Sequence, residues 1–377
     1  NQDYVNYIVI YDGITSIAAD AFADDNTIKG IVIGNTVKSI GSNAFNCTAT
    51  TILVNGGKEN QQIVGNAFTN LKSSCQVQYT KANTNFYNAV KKTCSNTKIL
   101  NDEGYLKISS AKEWANAFLD PSNLKEPIVG RFQITNNFNF SGEYKYASAE
   151  SEGIKYYTKI TSYFPYKIKE FNTKKSSAES NDVNFIGTMN GNSHTISGVK
   201  YGLIANNYGV IRNLNIKTEA TSSSPWSFSK NTNATHGTDE DNVIDFSAMG
   251  SVALRNYGII NGIEMTGNFY GSQDKSESRG PRGSKYYISI TGTQPAGGIS
   301  GENYGLIKKC HIDAKLKGLN MAGIAFNNNG VIYGCSTEGE INGYAWNRDE
   351  QNDRQRTFQS NLAGLCFTNS GTVEQSY

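Results

Sequence analysis

The chain has 377 residues and a formal net charge of +2, which predicts about two to three domains and supplies no whole-molecule field to draw nucleic acid or an anionic membrane surface. Its 37 Gly, 22 Tyr and 17 Phe, against 6 Pro and 4 Met, favour strands and turns over helix bundles. No run of about 18 apolar residues occurs, so no segment is expected to insert into a bilayer.

The first elements repeat. Ala-Phe occurs at Ala21-Phe22, Ala44-Phe45 and Ala67-Phe68, a period of 23. Ile17, Ile40 and Ile63 keep that period, as do Ile8, Ile31 and Val54. Each unit is expected to hold a short strand ("YIVI", "GIVI", "TILV"), a turn, "SI…AF" and a return. A unit this small cannot bury its own Ile and Phe, so stacking must supply the core. The stretch "ITSIAADAFADDNTIKGIVIGNTVKSIGSNAFNC" resembles BspA-like leucine-rich repeats, a family known mostly from bacterial surface and secreted proteins. About three units precede "QVQYTKANTNFYNAVKKTCSNTKIL", which resembles the short strand and helix that often close such an array. The resemblance implies a short leucine-rich-repeat solenoid over residues 1–102.

Next, "YLKISSAKEWANAFL…GRFQITNNFNFSG" resembles the usual entry to GLUG-motif domains, which implies a short amphipathic helix followed by the first strand. Ser109 or Ser110 would be the helix N-cap, and Trp114 and Phe118 would share one face. The helix opens a second domain, residues 103–377. Within that domain, 103–182 hold the opening helix, the first strands and an aromatic-rich insertion from Tyr144 to Phe171, read as a hairpin in preference to a binding ridge. Residues 183–377 hold repeat rungs.

The rungs align at four columns. Asn207, Asn256, Asn303, Asn328 and Asn369 each precede by two residues Gly209, Gly258, Gly305, Gly330 and Gly371. Ile211, Ile260, Ile307, Ile332 and Val373 follow, and upstream come Gly202, Ser251, Gly298, Gly323 and Gly364, each before an apolar residue. Such columns describe parallel strands whose apolar residues point inward. Glycine is expected where the corner needs positive φ, and the repeated Asn is expected to stack as an amide ladder. "GGISGENYGLIKKCHIDAKLKG" and "MAGIAFNNNGVIYGCSTEGEING" resemble GLUG-motif repeats, which implies a right-handed parallel β-helix on an extracellular bacterial protein. The expected fold class is therefore mainly β: a short leucine-rich-repeat solenoid plus a right-handed parallel β-helix with loop insertions.

Rung spacings of 49, 47, 25 and 41 place insertions near residues 217–248, 271–296 and 344–360. Loops inserted at one repeat position make a composite edge. Its aromatics, Trp226, Phe228, Tyr286, Tyr287, Tyr344 and Trp346, are the candidate contacts to carbohydrate or protein; the competing reading has them pinning the loops to the solenoid wall. No cofactor is expected. Asp239 and Asp241 in "TDEDN" offer oxygen ligands for Ca²⁺ but lack the glycine and spacing of a dedicated loop, so a solvated charge run is the default. The six cysteines form no CxxC pair and lack nearby imidazoles, apart from His311 beside Cys310, which argues against zinc. They are expected to be buried small hydrophobes, with a Cys75–Cys94 disulfide as the alternative. Cys310 and Cys335 should be stacked inward neighbours, as reduced thiols in preference to a rung-to-rung disulfide.

Catalytic residues are scarce. His194, His236 and His311 fall in unrelated places, and Asp313, Glu338 and Glu340 lie on late strands without a cluster recurring across rungs. The expected function is non-catalytic adhesion or ligand binding at the cell surface or outside the cell, with a host extracellular protein or glycan as partner. The alternatives are a polysaccharide lyase or hydrolase acting on the coil face and a stalk displaying another domain.

Overall fold

The computed structural model describes residues 6–118, 126–140, 144–145, 150–151, 154–155, 159–160, 166–171, 178–199, 202–219, 249–270, 276–279, 285–288, 296–318, 320–342 and 361–377. The fold is mainly β, with parallel strands stacked in solenoids. Two compact units emerge: Asn1–Ile108 with Ile128–Thr135 and Ile186–Asn192, and Ser109–Pro127 with Asn136–Phe185 and Ser193–Tyr377.

In the first unit, strands Tyr7–Ile10, Gly30–Ile33, Ile52–Asn55, Gln76–Thr80 and Thr97–Leu100 form one parallel sheet. The short strands Ser16–Ile17, Ser39–Ile40 and Gln62–Ile63 form a second. Between them Phe22, Phe45 and Phe68 stack, ring centroids 5.4 Å apart at each step. Helix Thr84–Val90 closes the stack, with Phe86 edge-on to Phe68 at 5.3 Å. Asn83 caps that helix by accepting from Phe86 N at 3.3 Å, and its amide also donates to Gln61 Oε1 at 2.9 Å in a buried network with Asn55.

The expected column Ile8, Ile31, Val54 is corrected. Ile31 pairs with Leu53, and Val54 lies over Val32. One residue is lost after Phe45: Asn46 bonds Asp24, 22 positions back, and Thr50 bonds Ile28, also 22 back. It is regained before Gln62, which again pairs 23 back with Ser39. The outward residues Val32 and Val54 are nonetheless fully buried, because strand Ile128–Ile134 packs against their strands.

That strand carries a residue that no repeat announces. Arg131 is fully buried. Its Nη1 lies 3.1 Å from Asp12 Oδ1, Nε donates to Gly104 O at 3.0 Å, and its guanidinium sits 4.5 Å over the Tyr105 ring. A planar fork with fixed donors suits such a site where a lysine would not.

In the second unit the rungs pair in register without drift. Ile211, Ile260, Ile307, Ile332 and Val373 form one column, and all but Val373 are fully buried. Backbone bonds link Leu203, Val252, Ile299, Ile324 and Leu365 in a second column. Two-residue to three-residue strands at Met249–Gly250, Ala296–Gly297, Asn320–Ala322 and Asn361–Ala363 make a further parallel sheet. Helix Ala111–Phe118 begins at Ser110, whose Oγ accepts from Glu113 N at 3.2 Å. Glu113 reaches back to accept from Ser109 N at 2.7 Å, and this backbone bond holds its carboxyl below the usual value. Trp114 and Phe118 stack at 4.3 Å, fully buried.

Two further expectations change. The corner glycines Gly258, Gly305, Gly330 and Gly371 do not adopt positive φ. A Cβ on each would instead fall 2.0–2.1 Å from the carbonyl oxygen of the preceding corner glycine, so any side chain there would force the backbone to shift. Positive φ is confined in the other glycine column to Gly202, at +92°. The six cysteines are free thiols, with no Cys75–Cys94 disulfide. Cys75 and Cys94 lie in hydrogen-bonding contact, and burial pushes Cys75 up to about 12. Burial likewise holds Cys310, beside Cys335, well above its ordinary value.

Antiparallel pairing occurs within the insertions. Tyr144–Lys145 pairs with Lys159–Ile160, Tyr166–Phe171 with Ala178–Asp182, and Ser276–Arg279 with Lys285–Ile288.

Candidate functional site

The rungs turn at Asn-x-Gly, and the stack at that corner is held from two sides. Asn207 Nδ2 donates to Asn256 Oδ1 at 2.8 Å, Asn256 to Asn303 at 2.8 Å, Asn303 to Asn328 at 2.7 Å and Asn328 to Asn369 at 2.7 Å. The first four amides are buried. Outside them stands the middle residue of the motif, Tyr208, Tyr257 and Tyr304. Their rings stack face to face, 4.9 and 5.0 Å apart and within 7° of parallel. Tyr257 is 38% exposed and Tyr304 45%.

Two rows flank the tyrosines. On the preceding side Asn206, Arg255, Glu302 and Asn327 pair in register. Arg255 lies between carboxylates, 3.7 Å from Asp182 and 3.5 Å from Glu302. Asn206 donates to Asp182 at 2.8 Å, and Tyr304 Oη donates to Glu302 Oε2 at 3.2 Å. On the far side of the glycine, Val210, Ile259, Leu306 and Val331 form an outward aliphatic row, the last of them 37% exposed. Burial raises the Tyr257 and Tyr304 phenols, and the Glu302 carboxylate adds to it. Both hydroxyls therefore stay protonated at neutral pH, able to donate and to accept. The corner thus presents a polar row, a row of phenol edges and an aliphatic row, all parallel to the coil axis.

The candidates drawn from the loops are not brought together within the described residues. Trp226, Phe228, Tyr344 and Trp346 lie outside them, as do His236 and the Ca²⁺ candidates Asp239 and Asp241. Tyr286 and Tyr287 stand on the hairpin strand Lys285–Ile288, opposite Ser278 and Glu277; their side chains are outside the described set. His194 Nδ1 lies 3.3 Å from Asn137 Oδ1, and His311 Nδ1 lies 2.7 Å from Ser336 Oγ. Among the described residues no three His, Cys, Asp or Glu side chains gather to hold a metal ion. The tyrosine row was overlooked because only three of five rungs carry it; the signal was "NYG" at 207–209, 256–258 and 303–305.

No helix among the described residues is long and apolar enough to cross a membrane. No curated protein matches the chain, and no solved structure matches it. Residues 1–125 match the family model for the BspA type leucine rich repeat region, in 6 copies. That is more than the three repeats and cap expected from the period, as the five-stranded sheet with its uneven strand spacing also is. The first third of the chain is thus similar to BspA-type leucine-rich-repeat regions.

Proposed function

We propose that this is a bacterial surface-exposed, non-catalytic adhesion protein that recognises a host protein or glycan outside the cell, and that its second unit is a GLUG-type repeat domain. The BspA-type region is compatible with a surface protein that mediates adhesion or protein interaction. The observation that carries the reading is the corner row. Exposed tyrosines and an arginine are residue types that dominate protein and ligand contacts, and here the tyrosines continue over successive rungs beside an aliphatic strip. The outward residues of the first sheet, Val32 and Val54, are already covered by the chain itself, which favours the second unit as the binding element.

The test is binding of the full chain to host cells and to immobilised glycans, with the ligand analysed afterwards. Retention with the ligand chemically intact supports adhesion. New reducing ends or unsaturated products would replace it with a polysaccharide-active enzyme, and neither binding nor products would leave a stalk.

A further inference from the structure

We propose that the Tyr208–Tyr257–Tyr304 corner binds an extended, neutral, β-linked hexopyranose chain lying along the coil axis. This deepens the adhesion reading and rests on it.

The argument starts from periodicity. The rings recur every 4.9–5.0 Å, the spacing of paired strands, and the polar and aliphatic rows recur with them. A ligand that meets the same trio at every step must itself repeat, at about the same length. An extended, equatorially linked hexopyranose chain advances by close to one ring per rung, with successive rings turned over so that each keeps a C–H face and hydroxyl edges toward the rows. Apart from another stacked β-solenoid, a folded protein surface has no such translational repeat.

The chemistry of each row fits the same ligand. Rings stacked face to face cover one another's faces, so the tyrosines offer edges and hydroxyls, which suit sugar hydroxyls. Val210, Ile259 and Leu306 stand two residues on from the tyrosines, Val331 continues their row, and this aliphatic row suits the C–H face of the ring. On the opposite side Asn206, Arg255, Glu302 and Asn327 supply donors and acceptors. Arg255 is shared between Asp182 and Glu302, so this row has no spare positive charge for a polyanion, which selects a neutral chain.

The experiment is calorimetric titration of the full chain with soluble β-1,4-linked gluco- or manno-oligosaccharides of two to six units, against an α-1,4-glucan and a polyuronate. Affinity should rise about tenfold or more from the disaccharide to the tetrasaccharide as further rungs engage, then level. The double variant Tyr257→Ala/Tyr304→Ala should abolish that gain. Because it also removes ring stacking, Tyr257→Phe/Tyr304→Phe serves beside it: the stack and the melting temperature persist, while affinity falls about three- to tenfold with the hydroxyls. Equal binding to the α-glucan or polyuronate, no dependence on length, or Phe and Ala variants that bind like the parent would overturn the proposal. Host-protein binding without glycan binding would also overturn it while leaving the adhesion reading in place; loss of all binding removes both.

Discussion

The two solenoids keep their repeats together by different means. In the first unit the recurring residues are side chains in the core, Phe22, Phe45 and Phe68, each touching the next through its face. In the second, the recurring residues act through backbone and amide at a corner: glycines whose missing Cβ lets carbonyls approach, and Asn side chains bonded at 2.7–2.8 Å. A stack of rings tolerates a shift of one residue between its contacts, and the first unit makes one between Phe45 and Gln62. An amide bond tolerates no such offset. The second unit holds register from Asn207 to Asn369 and puts its extra length into insertions outside the rung. Packing is forgiving in position; directional bonds are not.

The largest expected effect breaks this comparison at its base. One glycine inserted between Asn303 and Ile307 would move every following strand residue of that rung to the opposite face, and the second unit should lose its cooperative unfolding transition. One glycine inserted in the turn after Asn46 should cost the first unit less than about 1 kcal/mol. Chemical denaturation of both proteins separates the outcomes, and equal losses would refute the contrast. Next, Phe45→Ala removes the middle ring of the first stack and should cost about 3–5 kcal/mol by the same measurement.

Smaller effects sharpen it. Gly305→Ala places a Cβ 2.1 Å from Gly258 O and should cost about 1–3 kcal/mol through displaced backbone, whereas Gly65→Ala, with nothing within 4 Å, should be near neutral. Asn303→Ala leaves the Asn256 amide only its longer bonds to Gly258 O and Leu306 O and removes the Asn303 donor from Asn328 Oδ1, at about 1–3 kcal/mol. The smallest effect is a pH dependence at the Ala111–Phe118 helix. The Ser109 backbone bond lowers the folded-state value of Glu113 below its unfolded one, so its contribution is present above the unfolded value and is lost as pH falls through the folded one. Unfolding followed at descending pH should show this loss in the parent and not in Glu113→Gln.

What the sequence made legible follows the same division. Columns of Asn, Gly and Ile in the second unit are readable because each imposes one geometry on every rung. Val54 falls outside the Ile31 column because the one-residue loss sits in a turn where nothing in the sequence marks it. The glycine column was found for a reason that holds only at Gly202; elsewhere crowding, invisible without the neighbouring rung, works against a side chain. Arg131 occurs once, and a pattern search cannot find what does not repeat. The tyrosine row lay between, present in three rungs and replaced by Asn329 and Ser370 in the next two, so it read as ordinary variation. The loop aromatics were singled out for the opposite reason, since insertions attract notice by length alone.

The asparagine ladder has a consequence for how such a chain can change length. Each of the three interior amides donates to the following rung and accepts from the rung before, so the row has a polarity and no privileged interior member. Excising Asn303–Asn327 would join Glu302 to Asn328 and let Asn256 meet Asn328 with the same bond. Deletion of any fraction of that segment would leave an orphaned amide on both sides of the gap. Growth and shrinkage are therefore quantised in whole turns, and the molecule is built to a length counted in integers.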